Sequence, residues 1–240
     1  MTADADATAP IPAHALTIHT EAIDGHGSGG VGTPVLGMLL FIVSEVMFFA
    51  GLFAAYFTLR AGYTEVVNGT IQHVWPPTQY ADLLNPFTLR TESGALNVIL
   101  PATIILVISS FTCQMGVWAI RRDDHKGFVR SIAVTVVLGA TFLLLQAFDY
   151  SVLMSEGLTM GSTTFGTTYF TLTGFHGAHV FGGVLMLGVV AYRGMAGQFS
   201  AKHHDMVEAT SLYWHFVDIV WIVLFSVIYL LPLLSRKGAL

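Results

Sequence analysis

The sequence predicts an all-α protein, a polytopic bundle of five transmembrane helices, and three observations support this. First, 54% of the 240 residues are hydrophobic and only 10% are charged, whereas soluble domains contain about 25% charged residues. Second, the apolar residues are concentrated in five long stretches, each able to cross about 30 Å of hydrocarbon as a helix. Third, there is no alternating pattern typical of a membrane barrel, so helices alone can satisfy the backbone in lipid.

The predicted transmembrane domain covers residues 34–234. Its helices are expected at about 35–59, 97–120, 131–153, 168–192 and 212–234. Residues 1–33 contain no Lys or Arg and lack the basic start and apolar core of a secretory signal, so we expect a disordered tail. Residues 235–240 form a short C-terminal tail.

Proline positions indicate helix ends. Pro34 suits the first turn of helix one. Pro101 is compatible with the start of helix two or with a mild kink, and Pro232 falls where helix five should end.

The basic residues predict the orientation. Six Lys and Arg lie in the N-terminal tail and the second and fourth connections, against four in the first and third connections and the C-terminus. The second connection, "RRDDHKGFVR", is basic, whereas the third contains neither Lys nor Arg. Since basic connections stay inside, we expect a cytoplasmic N-terminus.

Glu45 lies near the middle of the first span, where a carboxylate costs about 2.5–3.5 kcal/mol on insertion scales. It should therefore face protein or water, either as a proton-linked or lipid-linked group or as a hydrogen-bonding anchor. Gly37, Ser44 and Gly51 recur beside it every seventh residue, and such small residues allow another helix to approach closely.

The third span places polar residues on one helical face, together with Gly139 and Phe142. Gln146 and Asp149 lie towards the membrane edge, and we expect them to form a structural network. The single cysteine, Cys113, makes an intrachain disulfide impossible and is expected to be a small buried hydrophobe.

The fourth span contains "TGFHGAHVFGG", in which small residues recur every fourth position. The predicted close-packing stripe comprises Gly174, Ala178 and Gly182. His176 and His179 are three residues apart, with Gly183 on the same face. We expect both histidines to hydrogen-bond to a neighbouring helix; carboxylates from other helices would be needed for a metal site.

The fifth span opens with "EATSLYWHFVDIVW" and carries Glu208, His215 and Asp218 in its first half. His215 and Asp218 are helical neighbours and can pair. An acid here is expected either to relay protons or to hold a nearby histidine.

Six stretches together resemble subunit III of the haem–copper oxidases, the cytochrome c and quinol oxidases. They are "SEVMFFAGLFAAYF" (44–57), "WPP" (75–77), "SSFT" (109–112), "LGATFLLLQAFDY" (138–150), "FTLTGFHGAHVFGG" (170–183) and "YWHFVDIVWIVLFSVIY" (213–229). They occur in the family's order and cover nearly all of 35–232. Five spans are similar to the short bacterial form. Asp149 replaces the Glu found in many relatives.

The resemblance implies a non-catalytic subunit of a respiratory oxidase in the bacterial plasma membrane. Haem and copper would belong to partner subunits, with subunit I as the main contact, subunit II as a second, and membership of a larger supercomplex possible; no metal site and no nucleic-acid partner are expected. Bound phospholipids and support of proton uptake are also implied. The residues expected near proton uptake or a lipid cleft are Glu45, Asp149, Glu208 and Asp218. Those expected in packing and hydrogen bonding are His176, His179, His215, Gly174, Ala178, Gly182 and Gly183.

Two other classes remain open on the sequence. One is a haem-binding membrane anchor, in which His176 or His179 faces His215. The other is a related subunit associated with a nitric oxide reductase. A proton-coupled transporter is less favoured, because the two halves of the sequence show no internal repeat.

Overall fold

The computed structural model describes residues 32–88 and 96–236 and confirms five long apolar helices. They are α1 (Thr33–Gly62), α2 (Ile99–Arg121), α3 (His125–Ser155), α4 (Thr164–Met195) and α5 (Asp205–Phe225). A π-helical turn, Ser226–Leu230, joins α5 to α6 (Leu231–Arg236), so that the fifth span covers Asp205–Ser235. The predicted tail, 1–33, lies outside the described residues except for its last two.

Helix starts follow the local sequence. Pro34 occupies the first turn of α1, as expected, and Pro101 lies in the first turn of α2. Asp124 caps α3 by accepting a hydrogen bond of 2.9 Å from the Gly127 backbone N–H, and Thr163 caps α4 by accepting one of 3.0 Å from Gly166. Such caps satisfy backbone donors that a helix leaves free at its start.

The fifth helical segment does not stop at Pro232, where the proline suggested an end, although it ends close to the predicted 234. Helical structure continues through Pro232 to Arg236, beyond the predicted start of the C-terminal tail at 235. The π-helical turn directly precedes this proline. A π turn shifts the hydrogen-bond register, which is compatible with a residue that has no N–H to donate.

The chain runs up and down through the bundle, and α5 lies at its centre. Consecutive helices pack in the order α2, α3, α4 and α5, and α5 also contacts α1 and α2. Half of the most apolar stretch of α5 is buried, against 6% of that of α1. The helix α1 therefore lies at the edge of the bundle, and the described residues cover little of its surface.

The two ends of the bundle differ in their connections. The α2–α3 and α4–α5 connections lie at what we call the basic end, joined there by a 2.7 Å hydrogen bond from the Ala201 N–H to Asp123. The opposite, hairpin end carries β1 (Glu65–Val67) and β2 (Thr70–Gln72), which pair antiparallel.

Trp75 closes the hairpin end. Its indole N–H donates to the Tyr56 hydroxyl at 2.9 Å, and that hydroxyl donates to the Val227 carbonyl at 3.2 Å. The Trp75 ring also packs edge-on against Phe165 of α4. These contacts join the long first connection, which contains the "WPP" motif, to α1, α4 and the π-helical turn.

Candidate functional site

Glu45 and His179 form a polar pair between α1 and α4. The carboxylate Oε2 lies 2.9 Å from His179 Nε2, and His179 Nδ1 lies 2.7 Å from the Phe175 carbonyl of its own helix. The Nδ1 position next to a carbonyl indicates that this nitrogen carries a proton. The two side chains are 17% and 16% exposed. The sequence left the acidic partner of the histidines open, and the structure assigns it to α1.

Aromatic rings enclose the pair on the protein side. Phe48 stacks on the His179 ring with centroids 6.2 Å apart, and Phe49 lies 5.0 Å away. The small residues Gly37, Ser44 and Gly51, which were expected to pack against another helix, make no such contact within the described residues. Methyl groups added at Gly37 or Gly51 would meet nothing within 4 Å. The stripe therefore faces away from the bundle.

The expectation that His176 hydrogen-bonds to a neighbouring helix is wrong for the described part of the chain. Neither ring nitrogen has a partner there, and the side chain is fully buried. The imidazole instead stacks on Trp221 of α5, with centroids 4.9 Å apart, and meets Phe142 of α3 edge-on. His176 acts here as an aromatic packing residue, because the helices around it present rings rather than polar groups.

The closest helix approaches in α4 do not follow the predicted stripe. Gly174 and Gly182 make ordinary contacts, at 3.8 and 3.7 Å from the positions of added methyl groups, and Ala178 is exposed. At Gly183 an added methyl would lie 2.8 Å from the Trp214 ring of α5, and Gly177 and Gly194 are comparably tight. The four-residue spacing thus indicated a close-packed helix but not the face that packs.

Asp149 belongs to a polar network at the hairpin end. The Tyr169 hydroxyl donates to Asp149 at 3.0 Å and lies 2.7 Å from the hydroxyl of Tyr229. One turn away, the Gln146 amide donates to the Thr173 carbonyl at 2.9 Å. The network links α3, α4 and the π-helical turn, as expected of a structural role for Gln146 and Asp149.

Glu208 joins three segments at the basic end. Its Oε1 accepts from Arg121 at 2.7 Å and lies 3.0 Å from His204 Nε2. The Arg121 side chain is 52% exposed. This ion pair fastens the end of α2 to the start of α5.

Asp218 and His215 lie on one side of α5, but no hydrogen bond joins them. His215 contacts α2 instead, through Ser110 Oγ at 2.6 Å and Gln114 Oε1 at 3.2 Å. The Asp218 carboxyl is 4% exposed, and neither oxygen has a hydrogen-bond partner among the described residues. The possible His215–Asp218 pairing is therefore not made.

The histidines of the spans have separate surroundings. His176 is enclosed by rings, His179 meets Glu45, and His215 meets α2. Within residues 32–88 and 96–236, no three His, Cys, Asp or Glu side chains are grouped as a metal site would require. Cys113 is fully buried, as expected, with its Sγ 3.7 Å from the Ser211 hydroxyl.

Sequence reasoning missed several partners of the predicted residues. Tyr169 and Tyr229 were not distinguished from other tyrosines of an apolar helix, although both are buried and joined to Asp149. Ser110 belongs to the "SSFT" motif, but no feature of the sequence indicated a role for it. Arg121 was used only to predict the orientation of the chain. Its position at the end of a span was the one feature that could have indicated an ion pair with another span.

Comparison with known proteins identifies the family. Residues 17–232 match the family described as cytochrome c oxidase subunit III. The probable cytochrome c oxidase subunit 3 of Nocardia farcinica is 38% identical over 91% of this chain and 95% of its own length.

Two further relatives agree. The cytochrome c oxidase subunit 3 of Corynebacterium diphtheriae is 42% identical over 81% of this chain and 86% of its own length, and that of Thermostichus vulcanus is 36% identical over 82% and 87%. These names favour an oxidase over a haem anchor or a nitric oxide reductase partner. The chain therefore belongs to the cytochrome c oxidase subunit III family and is a multi-pass membrane subunit of a haem–copper oxidase complex.

Proposed function

We propose that the chain packs against the redox subunit I of a bacterial cytochrome c oxidase, with subunit II as a second partner, and supports proton uptake there. Haem and copper would reside in those partners, in the plasma membrane. The relatives are bacterial and carry the name cytochrome c oxidase. The proposal for proton uptake rests on one feature of this chain, the pair formed by Glu45 and His179.

The pair has the properties of a proton-holding group. It lies well inside two membrane spans, and 2.9 Å separates Glu45 Oε2 from His179 Nε2. A hydrogen bond between these atoms offsets part of the cost of an acid in a medium that disfavours charge. Both side chains remain partly exposed, on the edge of the bundle that the described residues leave uncovered. The pair is therefore accessible to a neighbouring subunit or to lipid.

The other acids are less suited to the same task. Glu208 is engaged in an ion pair at the basic end, and Asp149 lies in a tyrosine network at the opposite end. We therefore restrict the proposal to Glu45. For Asp149, Glu208 and Asp218, a role in proton uptake or a lipid cleft stays a prediction.

The test is Glu45→Gln in the intact complex. The amide keeps a hydrogen bond to His179 but cannot take up a proton at pH 7, so we expect normal assembly, slower proton uptake and earlier inactivation during turnover. Ser44→Ala is the matched control, because Ser44 is exposed and its hydroxyl donates only to Phe41 of its own helix. Unchanged proton uptake and lifetime in Glu45→Gln would refute the proposed role.

The electron donor is tested separately. Oxygen consumption by the purified complex should be supported by reduced cytochrome c. Oxidation of a quinol, with no response to cytochrome c, would contradict this part of the proposal without affecting family membership.

Bound phospholipids remain a proposal, and a groove at the basic end supports them. The groove has a volume of about 560 Å³ and is lined by Lys126, Arg130 and His125 beside the apolar Val129 and Met195. Lys126 and Arg130 form no ion pair within the part of the chain that the structure describes. Cationic groups beside apolar surface at the inner membrane boundary suit an anionic headgroup.

The amount of phospholipid retained by the purified complex tests this site. Replacing both Lys126 and Arg130 by Gln should lower the anionic phospholipid that co-purifies with the complex, as quantified by mass spectrometry. Arg122→Gln is the matched control, because Arg122 is exposed nearby but does not line the groove. Equal lipid content in the double variant and the control would contradict the proposed lipid site.

A further inference from the structure

A second groove lies between α2 and α5, on the outer surface of the bundle. It has a volume of about 620 Å³ and an almost wholly apolar accessible surface, with four polar residues at its floor. Ser110, Gln114, His215 and Asp218 line the floor, and Phe111 is among the rim residues, with 69% of its surface exposed. We call this the α2–α5 groove. Asp218 lies near the midpoint of the Asp205–Ser235 span, so that the floor lies deep in the membrane.

The carboxyl of Asp218 is left alone in this floor. It is 4% exposed and has no hydrogen-bond partner among the described residues. The Ser110 hydroxyl lies beside it, but its hydrogen bond is with His215 at 2.6 Å. The remaining ring nitrogen of His215 is taken by Gln114 at 3.2 Å. Ser110 and Gln114 thus hydrogen-bond His215, and no hydrogen bond of ordinary geometry reaches the Asp218 carboxyl from the described residues.

Such a group calls for a partner beyond the described residues. A buried polar group without a hydrogen bond is destabilising, and hydrocarbon offers no water to compensate. A lipid acyl chain has no donor or acceptor and would leave the carboxyl as it is. The occupant must therefore present a hydrogen-bonding group at mid-membrane depth.

The exposed face of α2, part of which forms the rim, indicates that this occupant is a helix. Large exposed apolar residues of α2 recur at alternating intervals of four and three: Ile104, Ile108, Phe111, Met115 and Trp118. This is the spacing by which one helix packs its side chains between those of another along a seam. Ile219 of α5, 61% exposed, borders the groove from the other side.

We propose that the α2–α5 groove receives a transmembrane helix of another subunit of the oxidase complex. That helix places a hydroxyl, amide or imidazole side chain against Asp218 near the middle of the membrane. The proposal rests on the proposed function, in that it assigns one contact surface for assembly. It adds which face makes the contact and which polar residue fixes its register.

Photo-crosslinking in the intact complex tests the occupant. A photoreactive phenylalanine analogue at position 111 should crosslink to another subunit, which peptide mass spectrometry would identify. The matched control is position 144, where Leu144 on α3 is 72% exposed and outside the groove; lipid adducts are expected there. Adducts at position 111 with lipid or quinol only, or none at all, would overturn the proposal.

Two substitutions test the hydrogen bond. Asp218→Asn keeps hydrogen-bonding atoms and should retain this subunit in the complex. Asp218→Leu removes them and should lower the association constant about tenfold, the size expected of one interhelical hydrogen bond in a membrane. Retention of both variants, or loss of both, would overturn the proposal.

These results are distinguishable from failure of the proposed function. If the wild-type chain does not co-purify with an oxidase core, the proposed function itself fails. If it co-purifies but position 111 contacts lipid alone, only the assignment of the α2–α5 groove fails.

Discussion

Glu45 and His179 are separated by 134 residues of sequence, yet their side chains meet at 2.9 Å between α1 and α4. The contact joins α1, the least buried of the five spans, to α4. It also gives the Glu45 carboxylate and His179 Nε2 a hydrogen-bond partner, which hydrocarbon cannot provide. The same two helices are thereby aligned at a defined depth.

The same substitution should lower the stability of the bundle less at His176 than at His179. His176→Phe keeps an aromatic ring beside Trp221 and loses no hydrogen bond within the described chain, so we expect a change in stability below about 1.5 kcal/mol. His179→Phe deprives Glu45 of its partner and should cost about 1–3 kcal/mol. Thermal unfolding of the two variants in one detergent checks this, and a larger loss for His176→Phe would contradict it.

Gly183→Ala should destabilise the bundle. The added methyl would lie 2.8 Å from the Trp214 ring, and overpacking of this kind costs about 1–3 kcal/mol. Gly188→Ala is the control, because nothing lies within 4 Å of its added methyl and alanine favours the helix. The midpoint of thermal unfolding should fall for the first variant and hold or rise for the second; equal midpoints would speak against the tight contact.

Tyr169→Phe should weaken the hairpin end of the bundle. It removes the hydroxyl that donates to Asp149 at 3.0 Å and contacts Tyr229 at 2.7 Å. Leaving buried polar groups unpaired costs about 1–3 kcal/mol. Tyr192→Phe, at a 69% exposed position, serves as the control in the same unfolding measurement. Identical unfolding of the two variants would show that the network adds no stability.

The ion pair between Arg121 and Glu208 should contribute little. Arg121 is 52% exposed, and exposed pairs contribute about 0.2–1 kcal/mol. A double-mutant cycle with Arg121→Gln and Glu208→Gln should give a coupling energy in that range, smaller in high salt than in low salt. A coupling of several kcal/mol, insensitive to salt, would mean that the pair is buried by another subunit.

The sequence alone was enough for the fold class, the five spans and the family, because each depends on composition, length or the order of motifs along the chain. Apolar length predicts a membrane helix whatever its neighbours are. Gly174, Ala178 and Gly182 showed in the same way that α4 is closely packed. Glu45 was singled out because an acid within a span is unusual wherever it points.

Tertiary structure decided which residues meet. It paired Glu45 with His179 and set His176 among aromatic rings. It also placed tight contacts of α4 outside the predicted stripe, at Gly183 among others, and gave Asp218 no hydrogen-bond partner among the described residues. The physical reason is rotation: a span specifies the length of a helix, but the face that each helix turns towards its neighbours depends on packing against other helices. The sequence of one span does not show which face of the next span will be turned towards it.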